Sequence, residues 1–582
     1  MPTSLVDGNS LLAVDIGATT TRASFFDVVE GRYRFIGMGH APTTLNTPAR
    51  DLGVGIHQAI QNLQNLTGKS MIDNDGRLIL SQPDGTGVDM FVTSISAGPA
   101  LRTVVIGLLS DVSLESAQRL ARTTYTRVIE SMGMNDRRKP EAQIDAIIRN
   151  TPDLLIVAGG TEGGASKSLE KMIEVIGLAC YLLPEEKRPA VLFAGNKELA
   201  DEVETALKDL SPALHIAANI RPSLEVEDLG PAQRELAGIL IDAHKRQIPG
   251  MDQLDTWSGG ALLPTPYAQG RMIRFLNQYY NSGKGVLGVD IGASAVTVAA
   301  SFNDDLHLSV FPQYGLGEGL AGLLRSSKIE EITQWLPMEV PDSVVRDYLY
   351  QKSLYPALIP VTVEDLAIEQ SIARHNLQQG VRAAQAAFPK QYALRPGMLP
   401  PFEPIFATGS AITNAPTLGQ SLLLILDALQ PTGITTVVLD QNHLLGVLGV
   451  ASERNSILPV QVIDSGAFHY LATVISPITA VEFGTPILRV KLTYSDGNEI
   501  QAEVKMGNLQ ALPLAAGQSA QLQLRPLQRA DVGLGPGRAC QVDVTGGSLG
   551  VVIDARGRPL KMPAETAHRR ELIKKWLMTV GG

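Results

Sequence analysis

A chain of 582 residues is too long for one hydrophobic core and is expected to divide into three or four domains. With 44% hydrophobic and 19% charged residues it reads as globular, and a net charge of −10 argues against a general nucleic-acid binder, which needs a basic surface. Two cysteines (Cys180 and Cys540) and nine scattered histidines exclude a cysteine-only zinc site or an iron–sulfur cluster held within the chain, and argue against a dedicated transition-metal centre.

The stretch LLAVDIGATTTRASFFDVVEGRYRFIGMG predicts a three-strand meander over Leu11–Ile16, Thr20–Val28 and Tyr33–Met38, with Gly31 able to supply positive φ at the second turn. DLGVGIHQAIQNLQNLTG (51–68) follows with helical spacing. From about 90 the pattern alternates. RTVVIGLL, PDLLIVAGG, PAVLFAGN and LHIAANI read as buried strands, and SLESAQRLARTTYTRVIESM, EAQIDAIIRN, SKSLEKMIEVIGLACYLL and KELADEVETALKDL as helices. That alternation predicts a parallel sheet with covering helices over roughly 90–220. At 285, GVLGVDIGASAVTVAASFNDDLHLSVF repeats the first meander, and EDLAIEQSIARHNLQQGVRAAQAAF predicts a helix with an apolar face. PIFATGSAITNAPTLGQSLLLILDAL is a strand, a glycine turn and a helix. Beyond about 456, period-2 alternation with Asp-Gly and Arg-Gly turns predicts a separate all-β module, closed by a helix near 563–579. HRRELIKKW in that helix reads as a solvated face rather than a nucleic-acid patch. The apolar runs SLLLILDALQ and LLGVLGVA are too short to span a bilayer and no signal peptide is visible, so a cytoplasmic location is expected.

The repeated DIGA turn carries the functional reading. A tight turn after a buried strand gathers backbone N–H groups into an anion nest, and Gly17 and Gly292 admit a phosphate where a Cβ would block it. The hydroxyls of Thr19, Thr20 and Thr21 can donate to phosphate oxygens. Asp15 and Asp290 would repel phosphate, so their natural partner is Mg²⁺ or a metal-bound water. Two such turns across a cleft would grip one triphosphate. A lone D-x-G-x-T signals little, but two copies with matching meanders favour a nucleotide clamp, with FATGSAI (406–412) packing on adenine through Gly409.

These three elements in this order resemble the actin, hexokinase, sugar-kinase and heat-shock ATPase superfamily. APTTLNTP, SAGPALRTVVIGLLSD, DLLIVAGGTEGG, FAGNKELADEV, SGGALLPTP and the Arg374-His375 pair resemble the glutamate mutase accessory protein family, GlmL or MutL, which is distinct from the mismatch-repair protein of that second name. The resemblance covers about 10–455. It implies an α/β fold of duplicated actin-like, ribonuclease H-like ATPase domains with an inserted Rossmann-like α/β domain and the C-terminal all-β module. The expected boundaries are 1–90, 91–255, 256–455 and 456–582.

The resemblance also implies ATP and Mg²⁺ as cofactors. The partner it implies is an adenosylcobalamin-dependent carbon-skeleton mutase or its cobalamin-binding subunit, served in a chaperone-like or reactivating role; a homo-oligomer fits as well. Asp15 and Asp290 would be the catalytic and metal-holding residues; Gly17, Ala18, Thr19, Thr20, Thr21, Gly292, Ala293 and Ser294 would bind phosphates; Gly409 and Ser410 would sit by adenosine. The second turn departs from the family's Gly-Gly-x-Thr-Thr-Asp type of run. Ala293, Ala295 and Val296 remove hydroxyls and a carboxylate, which leaves binding intact and points to a weak ATPase at most. The rival readings are a small-molecule kinase of the same fold, which lacks an evident catalytic-base Asp; an actin-like scaffold; and a clamp that has become purely structural. Three further features stay open: AGGTEGGASKS (158–168) as a switch-point loop or an anion or partner site, His375 as a cleft or core residue, and GLGEGL (315–320) as a helix-capping turn or a loop presenting Glu318.

Overall fold

In the computed structural model, residues 9–46, 48–133, 136–164, 167–280 and 283–582 are described. The chain splits into two compact units. Unit one comprises Met1–Thr43, Gly55–Thr93 and Ala268–Gly582, and unit two comprises Thr44–Val54 and Ser94–Tyr267. The architecture is mixed α/β with several sheets.

Unit one opens with the expected meander, β1 (Leu11–Ile16), β2 (Thr20–Val29) and β3 (Arg32–Pro42), joined antiparallel, with β4 (Met90–Ile95) on the other side of β1. Every residue of β1 is buried, so the run LLAVDI is apolar on both faces rather than alternating.

Unit two holds β5 (Leu101–Gly107), β6 (Thr126–Gly133), β7 (Leu154–Ala158), β8 (Ala190–Phe193), β9 (Leu214–Ile216) and the short β10 (Leu262–Pro264). The first five form one parallel sheet in the order β6-β5-β7-β8-β9. Val104, Leu155, Val191 and Phe193 on the sheet share a core with Ile147, Ile173 and Ile176 on helices. The run SLESAQRLARTTYTRVIESM is not one helix. It is helical over Glu115–Ala121, turns at 122–125 and is then extended as β6, because the β-branched Thr126, Val128 and Ile129 prefer a pleated strand beside β5.

Back in unit one, β11 (Gly285–Ile291), β12 (Val296–Phe302) and β13 (Asp305–Phe311) repeat the antiparallel meander. The strands β14 (Phe402–Thr408) and β15 (Gly433–Leu439) follow, and β14 pairs in parallel with β11 and with β15. The local order β13-β12-β11-β14 reproduces β3-β2-β1-β4, so the duplication read in sequence is also a duplication of topology.

The C-terminal strands are β16 (His469–Ser476), β17 (Pro486–Tyr494), β18 (Glu499–Lys505), β19 (Leu509–Leu512), β20 (Ser519–Pro526), β21 (Cys540–Thr545) and β22 (Val551–Asp554). They do not stand apart as one module. Leu471–Ser476 of β16 is buried throughout and pairs with β15, and β22 and β19 continue that sheet to eight strands. Only β18-β17-β20-β21 form a sheet of their own. A buried ion-pair network fastens this region down. Asp427 accepts from Arg374 Nε (2.8 Å) and Arg556 Nη1 (2.6 Å), and Asp554 accepts from Arg556 Nε (2.8 Å) and Arg558 Nη2 (2.8 Å). The Arg556 guanidinium lies 4.8 Å from the ring of Trp576 in the terminal helix. Among the described residues, no helix is long and apolar enough to cross a membrane.

Burial pushes the Asp554 carboxyl up, but the charges and hydrogen bonds of Arg556 and Arg558 outweigh it and hold it well below the usual aspartate range. Replacing Asp554 by Ala leaves the buried Arg558 without its carboxylate and Arg556 with Asp427 alone, and is expected to cost about 3–5 kcal/mol, read as a fall in thermal midpoint at neutral pH. Because the folded carboxyl titrates below its unfolded value, the wild-type contribution is present above roughly pH 4 and is lost as pH falls further. The gap between wild type and Asp554→Ala should therefore narrow in acid.

Candidate functional site

The two DIGA turns close in the same way. Gly17 N donates to Thr20 O at 3.0 Å, and Gly292 N donates to Ala295 O at 3.0 Å. In each, the Asp one residue before the strand end sits in register with a β2- or β12-type neighbour: Asp15 opposite Arg22, and Asp290 opposite Thr297. Gly17 has no room for a side chain, since a Cβ would lie 2.8 Å from Thr20 O.

The turns differ in what braces them. In the first, the Thr43 hydroxyl donates to Gly17 O (2.7 Å) and shares a hydrogen bond with Thr21 (2.9 Å), while Thr43 N donates to Thr19 O (3.0 Å). Thr21 is buried, so its hydroxyl locks the turn; Gly17, Ala18, Thr19 and Thr20 are partly open to solvent. In the second, GLGEGL is the brace. Leu316 N donates to Gly292 O (2.9 Å), and Cβ atoms on Gly315 or Gly317 would meet Ala293 O at 2.5 and 2.9 Å. The helix Leu320–Ser326 starts directly after it, and Glu318 is exposed. Ala295 and Val296 are buried, and Val296 packs where Gly380 of the helix Val363–Ala384 offers no Cβ, so core packing accounts for the missing hydroxyls. Gly292, Ala293 and Ser294 stay partly open.

The structure brings three strand-terminal aspartates into one electrostatic neighbourhood. Asp15 is 8% exposed and has Arg22 Nη1 3.7 Å away. Asp290 accepts from Gln269 Nε2 at 2.9 Å. Burial raises its pKa, the Gln269 hydrogen bond opposes that rise, and the Asp15 charge adds to it, giving about 6. Asp440, directly after β15, was not singled out in the sequence. It is fully buried, and its two oxygens accept from Leu444 N (2.8 Å) and Leu445 N (2.9 Å) at the start of the helix Leu444–Ala451. Burial raises its pKa, the two helix N–H groups pull it down, and the charges of Asp290 and Asp15 push it up, to about 7. A signal was present, because TTVVLD ends an apolar run on Asp as AVDIG and GVDIG do. Gln269, Arg22 and His443 had no such signal. His443 lies in a left-handed conformation between Thr408 (3.1 Å) and Thr413 (3.3 Å), and burial followed by the Arg22 charge keeps it neutral.

Gly409 follows β14 with φ +106°, and a Cβ there would lie 2.3 Å from Ile291 O. Its missing side chain therefore serves contact between β14 and the end of β11, while the neighbouring Ser410 is exposed. The Arg374-His375 pair lies in the core: Arg374 is held by Asp427, and His375 Nε2 lies 2.9 Å from Ser327 Oγ, with burial lowering its pKa. In unit two, AGGTEGGASKS follows β7 beside β5, at the point where the strand order reverses, and Asn219 Nδ2 ties Gly160 O and Glu162 Oε1, both at 2.9 Å. Ala165 and Ser166 of that motif lie outside the described residues. Among the described residues there is no group of three or more His, Cys, Asp or Glu side chains that could hold a metal ion.

Two expectations follow. Gly409→Ala forces both the left-handed backbone and a clash with Ile291 O, and a loss of several kcal/mol is expected, of the order set by strained backbone plus overpacking, measured as thermal midpoint. Asp440 titrates in the folded state above its unfolded value, so the fold holds its proton between about pH 4 and pH 7 when the unfolded chain does not. Its contribution is complete below about pH 4 and is lost as pH rises through about 7. Asp440→Asn should flatten the decline in thermal midpoint across that window.

The family model described as MutL protein matches residues 11–466. The protein named Protein MutL from Clostridium tetanomorphum is 24% identical over 294 residues, a match that spans 50% of this chain and 57% of that relative. Among solved structures, a diol dehydratase-reactivating factor in nucleotide-free form aligns over 79% of this chain and 100% of its own, at 9% identity and a TM-score of 0.29. Component A of (R)-2-hydroxyglutaryl-CoA dehydratase from Acidaminococcus fermentans aligns over 77% and 99%, at 9% identity and a TM-score of 0.24. Superpositions this loose assign neither fold nor chemistry. The family match does not depend on them: it extends from the first strand of the first meander to the end of the helix before β16, and this chain belongs to the MutL protein family.

Proposed function

We propose that unit one is an actin-like ATPase fold that holds Mg²⁺-ATP between its two DIGA turns, and that the protein is an accessory factor, chaperone-like or reactivating, for an adenosylcobalamin-dependent carbon-skeleton mutase. One observation carries the nucleotide half of this reading: two turns closed by the same backbone hydrogen bond on duplicated meanders, with Asp15 and Asp290 near enough for the charge of one to perturb the other. Crowded carboxylates of this kind call for a cation. The donor set, two carboxylates with no three-ligand cage among the described residues, suits Mg²⁺, which binds through one or two carboxylates together with phosphates and water. Bound there, Mg²⁺ would neutralise phosphate charge. Gly17, Ala18, Thr19, Thr20, Gly292, Ala293 and Ser294 would cradle phosphates through backbone N–H groups and hydroxyls, and Ser410 would face adenosine. Gln269 holds Asp290 in place.

Hydrolysis would be weak, because the second turn offers one hydroxyl, Ser294, and Asp440 is no free base: both its oxygens are taken by helix N–H groups. The same point weighs against a small-molecule kinase. The accessory role and the mutase partner rest on membership of the MutL family. Unit two is the part proposed to meet the cobalamin-binding subunit. A cytoplasmic location goes with this reading, since Cys180 and Cys540 are both free, as in a reducing compartment.

Calorimetry of Mg²⁺-ATP binding to wild type and Asp15→Ala tests the clamp. Binding in the micromolar range (about −8 kcal/mol) that is lost in the variant is expected; wild type that binds nothing would reduce the duplicated turns to scaffold.

A further inference from the structure

We propose that the segment from Tyr350 to Val363 is the docking ridge for the partner protein, and that the partner surface it fits is an apolar cleft edged by Lys and Arg. This rests on the accessory-factor reading and names the surface of unit one by which the partner is held. Tyr350 and Leu354 stand one turn apart on the helix Asp342–Leu354, and Tyr355, Ile359, Val361 and Val363 continue the apolar run to the next helix. Leu354 is 73% exposed, Ile359 74%, Val361 83% and Val363 71%. Six large side chains within this one segment are each more than half exposed, together on the order of 500 Å² of mostly apolar surface, the range of surface patches that are commonly functional.

The segment is fixed rather than loose. The buried Lys352 ammonium donates to Leu358 O and pairs with Glu369 at 2.7 Å, which also accepts from the Tyr348 hydroxyl at 2.7 Å. The Asp365 carboxylate accepts from Val361 N (3.3 Å) and Thr362 N (3.1 Å), and Leu358 N donates to Tyr355 O (2.9 Å). Polar contacts beneath thus hold the apolar side chains outward, and the ordering cost of binding is already met.

Charge decides the occupant. Within 342–365 the exposed ionic side chains are Asp342, Asp347 and Glu364 against Arg346. A second copy would bring the same acidic rim, on a chain of net charge −10, against this one. A cleft bordered by basic residues meets both the apolar ridge and its rim.

The test uses the full chain and a purified adenosylcobalamin-dependent mutase from the same source as the probe. Affinity is measured for wild type and the double variant Ile359→Ser with Val361→Ser, alongside Mg²⁺-ATP binding, thermal midpoint and sedimentation of each protein alone. The expected result is a loss of mutase affinity of roughly tenfold or more, with ATP binding and midpoint unchanged, and a wild-type complex that weakens as salt is raised. Equal mutase binding by both proteins would overturn the ridge while leaving the accessory reading standing. Wild type that binds ATP but no mutase would overturn both. A wild-type dimer that the double variant dissociates would assign the ridge to a second copy and overturn the proposal as stated.

Discussion

Three carboxylates at the ends of β1, β11 and β15, strands of two different sheets, crowd into one region of low dielectric in unit one, and much of the local architecture answers their repulsion. Burial and mutual charge raise Asp290 and Asp440 toward neutrality, while Arg22 beside Asp15, the Gln269 amide on Asp290 and two helix N–H groups on Asp440 pull the other way. Each compensating group comes from a different element. Holding the aspartates together therefore fixes β2, the helix that carries Gln269 and the helix Leu444–Ala451 relative to the strand ends. That last helix is seated closely: a Cβ on its Gly449 would lie 1.9 Å from Ala268 O, one residue before Gln269. The protein groups offset that repulsion only in part, since burial and mutual charge still hold both carboxyls well above the usual aspartate range.

The same unit contains a second charged cluster with the opposite arithmetic. Arg374, Arg556 and Arg558 meet Asp427 and Asp554 in the core, with all five side chains hydrogen-bonded. Arg558 also donates to Pro431 O and Ser476 Oγ, which absorbs part of the excess positive charge. This cluster is structural. It joins the helices Val363–Ala384 and Leu418–Leu429 to the end of β22 and, through the Trp576 ring, to the terminal helix. It anchors the end of β22, and with it the part of the C-terminal region (β16, β22 and β19) that continues the eight-stranded sheet.

Much of the fold was legible in the chain itself. Buried strands such as LLAVDI and GVLGVDI are largely apolar on both faces, and the glycines and polar turns after them are local signals, so the first two strands of the first meander and the start of the second meander at 285 were legible, while β3 runs on past Met38 to Pro42. Where a local signal was ambiguous the reading failed. TTYTRVIESM carries enough apolar spacing for a helix, but its β-branched residues found a strand partner in β5, a contact that no window of sequence contains. For His375 the surface-or-core reading was the favoured one, and Ser327 and Asp427 supply the core partners of His375 and Arg374 that no window of sequence names.

The sequence by itself determined the duplication, the two DIGA turns and the family, because each is a short-range pattern of residue types. Only the tertiary structure decided that Asp440 joins Asp15 and Asp290, that Gln269 serves Asp290, that Thr21 and Gly409 are spent on internal contacts, and that an apolar ridge stays in solvent. Those outcomes depend on which side chains meet across tens to hundreds of residues. Burial, charge coupling and hydrogen-bond partnership are set by that meeting, and residue type alone leaves them open.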